Sequence, residues 1–147
     1  MPNASTLQFL LTLAKGIASQ FGPNCEVVVH DLATNDPERS IVAIENGHVT
    51  GRKVGDGPSH VVLEALRGNP EQLHDHLSYL TRTKDGKILK STTIYIRDDD
   101  GAPIGIFGIN YDITLMLAME NAIKQFTATE KDGEREPLDP WNHNMIV

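Results

Sequence analysis

Cysteine, tryptophan and other aromatic residues are scarce in this 147-residue chain, which has one Cys, one Trp and 5% aromatic residues. A lone cysteine cannot form an internal disulfide, so no covalent staple holds the fold, and a reducing cytoplasm is the expected compartment. Cys25 opens an apolar run, where a buried, inert thiol is expected. No apolar run approaches the roughly 20 residues that cross a bilayer. The opening Met-Pro-Asn-Ala-Ser-Thr also lacks the basic and apolar segments of a secretory leader. Positive charge is in deficit: 13 Lys and Arg face 20 Asp and Glu, for a formal net charge of −7. Nucleic-acid binding needs several cationic phosphate contacts, so DNA or RNA is not an expected partner of this chain alone. Catalytic signatures are missing too: there is no Gly-x-Ser-x-Gly elbow, no Gly-Lys-Ser/Thr phosphate loop, no Cys-x-x-Cys and no His-Glu-x-x-His. Neither an enzyme nor covalently attached haem is expected.

What is present suits one globular domain, with 39% hydrophobic and 22% charged residues. Leu7, Leu10, Leu11, Ala14, Ile17 and Phe21 recur at helical spacing and predict a helix over 5–20. Ser5 and Gln8 form its capping box, and Gly22-Pro23 stops it. Cys25 to Asp31 reads as a β-branched strand. Beyond the break at Asp36-Pro37, Ser40 to Glu45 reads as its partner, closed by Asn46-Gly47. The glycine-rich stretch from Gly51 to Gly57 is a loop, and Pro58 to Arg67 a second helix with Val62, Leu63 and Leu66 on its apolar face. Three further strands, Leu77 to Thr83, Lys87 to Arg97 and Pro103 to Asp112, are separated by the turns at Asp85-Gly86 and Asp98 to Gly101. A last helix over 113–126 carries Met116, Met119, Ile123 and Phe126 in one stripe, suited to packing on another helix. The charged stretch that follows it is expected to be solvated. The fold class is therefore α+β, a five-stranded antiparallel sheet with helices on one face and flanking N- and C-terminal helices.

The words inside these elements carry a resemblance. Val29-His30-Asp31-Leu32, then Asn46-Gly47-His48-Val49-Thr50-Gly51-Arg52-Lys53-Val54-Gly55-Asp56, then Arg82-Thr83-Lys84-Asp85-Gly86-Lys87, then Ile96 to Gly101, then Ile109-Asn110-Tyr111-Asp112 occur in that order. Together they resemble the YheO-like PAS domain family of bacterial transcriptional regulators, over about Leu7 to Phe126. The resemblance implies a sensor domain at 1–126, with a PAS core at 25–112. A charged linker at 127–147 would then lead toward a helix-turn-helix DNA-binding domain absent from this chain. Trp141 and the apolar end at Met145, Ile146 and Val147 agree with a sensory half cut from a longer protein, and a stand-alone relative is the alternative. The implied partners are a small-molecule effector, a second copy of the chain, and DNA only through the absent domain. No cofactor is expected beyond an unidentified small metabolite.

The candidate ligand-binding residues are His30, His48, Thr50, Arg52, Lys53, Tyr79, Thr92 and Asn110. Arg52, in a polar glycine-bearing loop with His48, Thr50 and Lys53, offers bidentate donors to a small acid or amino acid; the alternative is that the glycines shape a turn and Arg52 pairs with an acid such as Asp56. Asn110 and Asp112 share one face of the last strand, opposite Phe107 and Ile109. Asn110 is read either as a polar cavity floor or as a structural residue, and Asp112 as the cap of the following helix. On the preceding strand Ser91, Thr93 and Tyr95 share one face and Lys90, Thr92 and Ile94 the other, a weak alternation that permits a hydrated pocket. His30 reads as a ligand or pH contact or as a satisfied structural histidine. His74-Asp75-His76 lacks a third spaced metal ligand and reads as solvated loop.

Overall fold

The computed structural model describes residues 4–33, 36–131 and 134–136. Trp141 and the apolar end at Met145 to Val147 lie outside them. The chain divides after Ile113 into two compact units.

The first unit opens with α1 (Ala4–Phe21), whose buried stripe is Leu10, Ala14 and Ala18, spaced four apart as one helix face requires. Ser5 lies inside the helix and is not its cap. Gly22, at a φ of 86°, turns the chain out of α1 and donates its N–H to the Ala18 carbonyl at 2.9 Å. The strands are β1 (Cys25–Asp31), β2 (Ile41–Glu45), β3 (His76–Arg82), β4 (Ile88–Arg97) and β5 (Pro103–Asp112). They form one antiparallel sheet of order β2-β1-β5-β4-β3. The meander β3-β4-β5 is as expected, and its turns place Gly86 and Gly101 at positive φ. Between β2 and β3 lies α2 (His60–Arg67), capped by the Ser59 hydroxyl, which accepts from the Val62 N–H at 3.5 Å.

Every residue of β1 is buried, because β2 and β5 flank it and both sheet faces are covered. Alternation then splits the strand. Cys25, Val27 and Val29 join Phe107 and the α1 stripe in an apolar core, to which Ile94, Ile96 and Ile109 also pack. A fully buried side chain of this kind contributes roughly 1.5–3 kcal/mol. Glu26, Val28 and His30 point to the opposite face. There Val62 of α2 meets Leu73, Tyr95 and Ile106 in a smaller cluster. The middle helix and α1 thus lie on opposite faces of the sheet.

The second unit contains α3 (Thr114–Thr127) and a short hairpin of β6 (Thr129–Lys131) and β7 (Glu134–Glu136), a pairing inside the stretch expected as linker. Among the described residues no helix is long and apolar enough to cross a membrane.

Candidate ligand-binding site

A carboxylate in the middle of a buried strand must find donors, since leaving it unpaired costs several kcal/mol. Glu26, 0% exposed, finds four. Its Oε2 accepts from the Thr50 backbone N–H at 3.1 Å and the Thr50 hydroxyl at 2.6 Å. Its Oε1 accepts from Asn110 Nδ2 at 2.9 Å and from Arg52 Nη2 at 3.4 Å. Arg52 also donates through Nε to Thr50 Oγ1 at 3.1 Å and through Nη1 to the Gly57 carbonyl at 3.4 Å. The guanidinium is therefore held in one orientation at the sheet surface.

The loop carrying Thr50 and Arg52 is tied down by its own backbone. Asn46, in the left-handed region at a φ of 55°, donates its side-chain amide to the carbonyls of Gly22 at 3.1 Å and Cys25 at 2.8 Å. Ile41 and Gly55 close the other end, with Ile41 N–H on the Asp56 carbonyl at 2.8 Å and Gly55 N–H on the Ile41 carbonyl at 3.0 Å. Gly57 is required by close approach: a Cβ there would sit 2.6 Å from the Glu38 carbonyl oxygen.

Register extends the polar row across the sheet. Glu26 lies opposite Asn110, Asn110 opposite Ser91, and Ser91 opposite Tyr79. The Ser91 hydroxyl donates to Asn110 Oδ1 at 2.7 Å, so the Thr81 hydroxyl, 2.8 Å from Ser91 Oγ, must donate to Ser91. The result is a directed chain, Thr81 to Ser91 to Asn110 to Glu26, through β3, β4, β5 and β1. Beside it Tyr79 pairs its hydroxyl with that of Thr93 at 2.7 Å and stacks on the His76 ring at 3.9 Å. A bulge between His76 and Tyr79, with Ser78 at a φ of 51°, sets this register. His30 Nδ1 lies 2.8 Å from Ser40 Oγ. Burial, and then the nearby Arg52 charge, lower the His30 pKa to about 3, so the ring is neutral.

Above this row opens a cavity of about 650 Å³. The size is that of a small-molecule site. Of the eight expected residues it brings together His30, His48, Thr50, Arg52, Tyr79 and Asn110. Lys53 and Thr92 are corrections, because neither lines the cavity. Lys53 is exposed, with its backbone N–H on the Asp56 carboxylate at 2.9 Å. Thr92 sits on the opposite sheet face, opposite Ile109, and its hydroxyl accepts from the Ser78 N–H at 3.1 Å. Arg52 does pair with an acid, as the alternative reading has it, and that acid is Glu26 rather than Asp56. Among the described residues no group of three or more His, Cys, Asp or Glu side chains is placed to hold a metal ion.

Glu26 and Thr81 escaped the sequence reading, and Ser91 entered it only through the alternation of its strand. The one signal for Glu26 was a carboxylate within an otherwise apolar strand, on the same alternation phase as His30. The partners of that carboxylate depend on the β1-β5 register, which no local pattern encodes.

A five-stranded sheet in this order, with a loop and helix roofing a cavity on one face, is PAS-like. The YheO-like PAS domain family matches residues 1–128. This chain belongs to that family. Among relatives, the Escherichia coli protein YheO, itself uncharacterized, is 38% identical over 67% of this chain and 40% of its own length. The transcriptional regulator DauR of Pseudomonas aeruginosa is 29% identical over 86% of this chain and 56% of its own. The chain spans about half the length of the curated relatives it matches. A solved light-oxygen-voltage domain aligns with 78% of this chain and 94% of its own, at 19% identity and a TM-score of 0.46. The chain is thus a PAS-like sensory domain related to a transcriptional regulator.

Proposed function

We propose that this YheO-like PAS domain binds a small cytoplasmic metabolite in the cavity above Glu26 and signals to a C-terminal helix-turn-helix DNA-binding domain of a bacterial transcriptional regulator. The observation that carries the reading is the cavity itself, about 650 Å³ and walled by Thr50, Arg52, Tyr79 and Asn110, three of them fixed by the buried Glu26 network. Holding these groups in place before a ligand arrives lowers the ordering cost of binding. The similarity to DauR supports the regulatory half of the proposal. β5 brings Asn110 to the cavity wall and, after Ile113, runs into α3, so chain connectivity offers a route from the site. A ligand shifts such a module only as far as its affinity differs between two conformations. Thermal-shift measurements against metabolites at millimolar concentration test this, and a flat response throughout would overturn it.

A second reading, a ligand-free dimerisation module, is favoured by α3, where Leu115, Met116, Met119, Ile123 and Phe126 are all exposed. Sedimentation at tens of micromolar discriminates: a monomer removes this reading, and a dimer that binds no metabolite removes the first.

A further inference from the structure

The charge around the cavity runs against the charge of the chain. Against 13 basic and 20 acidic residues overall, the lining holds four cations, Arg52, Arg82, Lys84 and Lys87, and one carboxylate, Asp85. Glu26 beneath Arg52 offsets one positive charge, and Asp85, 3.9 Å from Lys87 Nζ, offsets part of another. Lys87 Nζ is further engaged by the carbonyls of His48 at 3.2 Å and Val49 at 3.1 Å. Among the described residues Lys84, in the β3-β4 turn, forms no ion pair, whereas Arg82 alternates with Thr81 and directs its side chain to the other sheet face. The positive excess thus sits at the mouth, on the β3-β4 hairpin, and the interior sets the hydroxyl and amide groups of Thr50, Thr93 and Asn110 among apolar Val28, Val62 and Ile106. A concave wall focuses such a field onto whatever enters it.

Building on the sensor reading, we infer that the cavity selects a small organic anion, a carboxylate or a phosphate ester, with Lys84 at the mouth steering it in and Arg52 fixing its oxygens. Arg52 suits planar oxyanions because its fork is already oriented by Thr50 and Glu26. A ligand cation would have to pass the same mouth against its field. Carboxylates and phosphate esters share the multiply acceptor, negatively charged oxygens that these donors require.

The experiment is thermal shift followed by calorimetry on the chain at low salt. Succinate, citrate, glycerol phosphate and inorganic phosphate are set against succinamide, glycerol and butanediamine. At least one anion is expected to stabilise and bind, with affinity falling as NaCl rises. The carboxylate and phosphate arms separate the two sources. The variant Lys84→Glu should weaken that affinity at least about fivefold, with the melting temperature of the free protein retained. Lys90→Glu, the same kind of charge reversal on the opposite sheet face, should leave it within about twofold. Binding of succinamide, glycerol or butanediamine without the anions would overturn the anion inference and leave the sensor reading standing. A single-stranded oligonucleotide that binds where no small anion does would also overturn it. Silence from the anions and from the wider metabolite set would overturn both.

Discussion

The two faces of the sheet are built from the same strands on opposite principles. Toward α1, Val27, Val29 and Phe107 are packed by apolar shape alone. Toward the cavity, Glu26, His30, Ser91 and Thr93 are as buried as those residues, yet each is held by a hydrogen bond to a neighbour. Among the described residues no buried side-chain polar atom lacks a partner. Buried polar groups are at best modest contributors to stability compared with apolar ones of similar size. A strand that is apolar on one side and expensively polar on the other therefore separates two tasks: the first face makes the fold, and the second walls the cavity proposed as the site.

Substitutions on the two faces should accordingly fail in different ways. Phe107→Ala is expected to cost about 3–5 kcal/mol through lost burial and the cavity left behind, read by urea denaturation, while ligand affinity per folded molecule stays unchanged. Glu26→Ala is expected to cost about 3–5 kcal/mol as well, because it strands the Arg52 charge and leaves donors of Thr50 and Asn110 unpaired. Its signature differs, since affinity for the bound ligand should fall with stability as Arg52 loses its orientation. Glu26→Gln, which keeps an acceptor, should recover part of both. If Phe107→Ala altered affinity as much as Glu26→Ala, the division of labour between the faces would be wrong.

How much of this was legible beforehand follows the same division. The apolar face announces itself through periodicity: Leu10 and Ala14 at helical spacing, Val27 and Val29 at strand spacing, and Phe107 and Ile109 on one phase of β5. Turn chemistry placed the meander, because Asp85-Gly86 and Asp98 to Gly101 need conformations that few other residues supply. The cavity face was legible where a loop advertised itself, as with His48, Thr50 and Arg52, and where single polar residues stood on strands, as with His30, Tyr79 and Asn110. Glu26 meets Asn110 across 84 residues of sequence, and long-range register is a property of the assembled sheet. Thr92 was misplaced for the converse reason: as a threonine beside Thr93 it looks equivalent, and alternation alone sends one to the cavity and the other to Ser78.

The faces should also differ in their response to acid. His30 titrates at about 3 when folded and near 6.5 when unfolded. Above pH 6.5 both states are neutral and the residue adds no pH dependence. Between 6.5 and 3 the unfolded chain takes up a proton that the folded one refuses, so stability falls as pH falls, by up to about 1.4 kcal/mol per unit. On the α1 face burial, and then Glu26, push the Cys25 thiol up, away from this range. The expected difference is on the order of 2 kcal/mol between pH 6.5 and 5, absent in His30→Gln, by denaturation at each pH. Equal slopes in the two proteins would show that His30 is not shielded as its burial requires.

The smallest effect should come from the far end of the polar chain. Thr81→Val removes the hydroxyl that donates to Ser91 and is expected to cost about 1 kcal/mol. Ser91→Ala should cost more, since Ser91 is 1% exposed and its loss also leaves Asn110 Oδ1 without its donor. If the four groups act as one directed network, the two changes will not add. Once Ser91 is alanine, the Thr81 hydroxyl has nothing there to donate to, so the double variant should be less destabilised than the sum of the singles by about 0.5 kcal/mol or more. Strict additivity would reduce the row to independent pairs that happen to line up. The orientation of Asn110 toward Glu26 would then rest on the 2.9 Å contact alone.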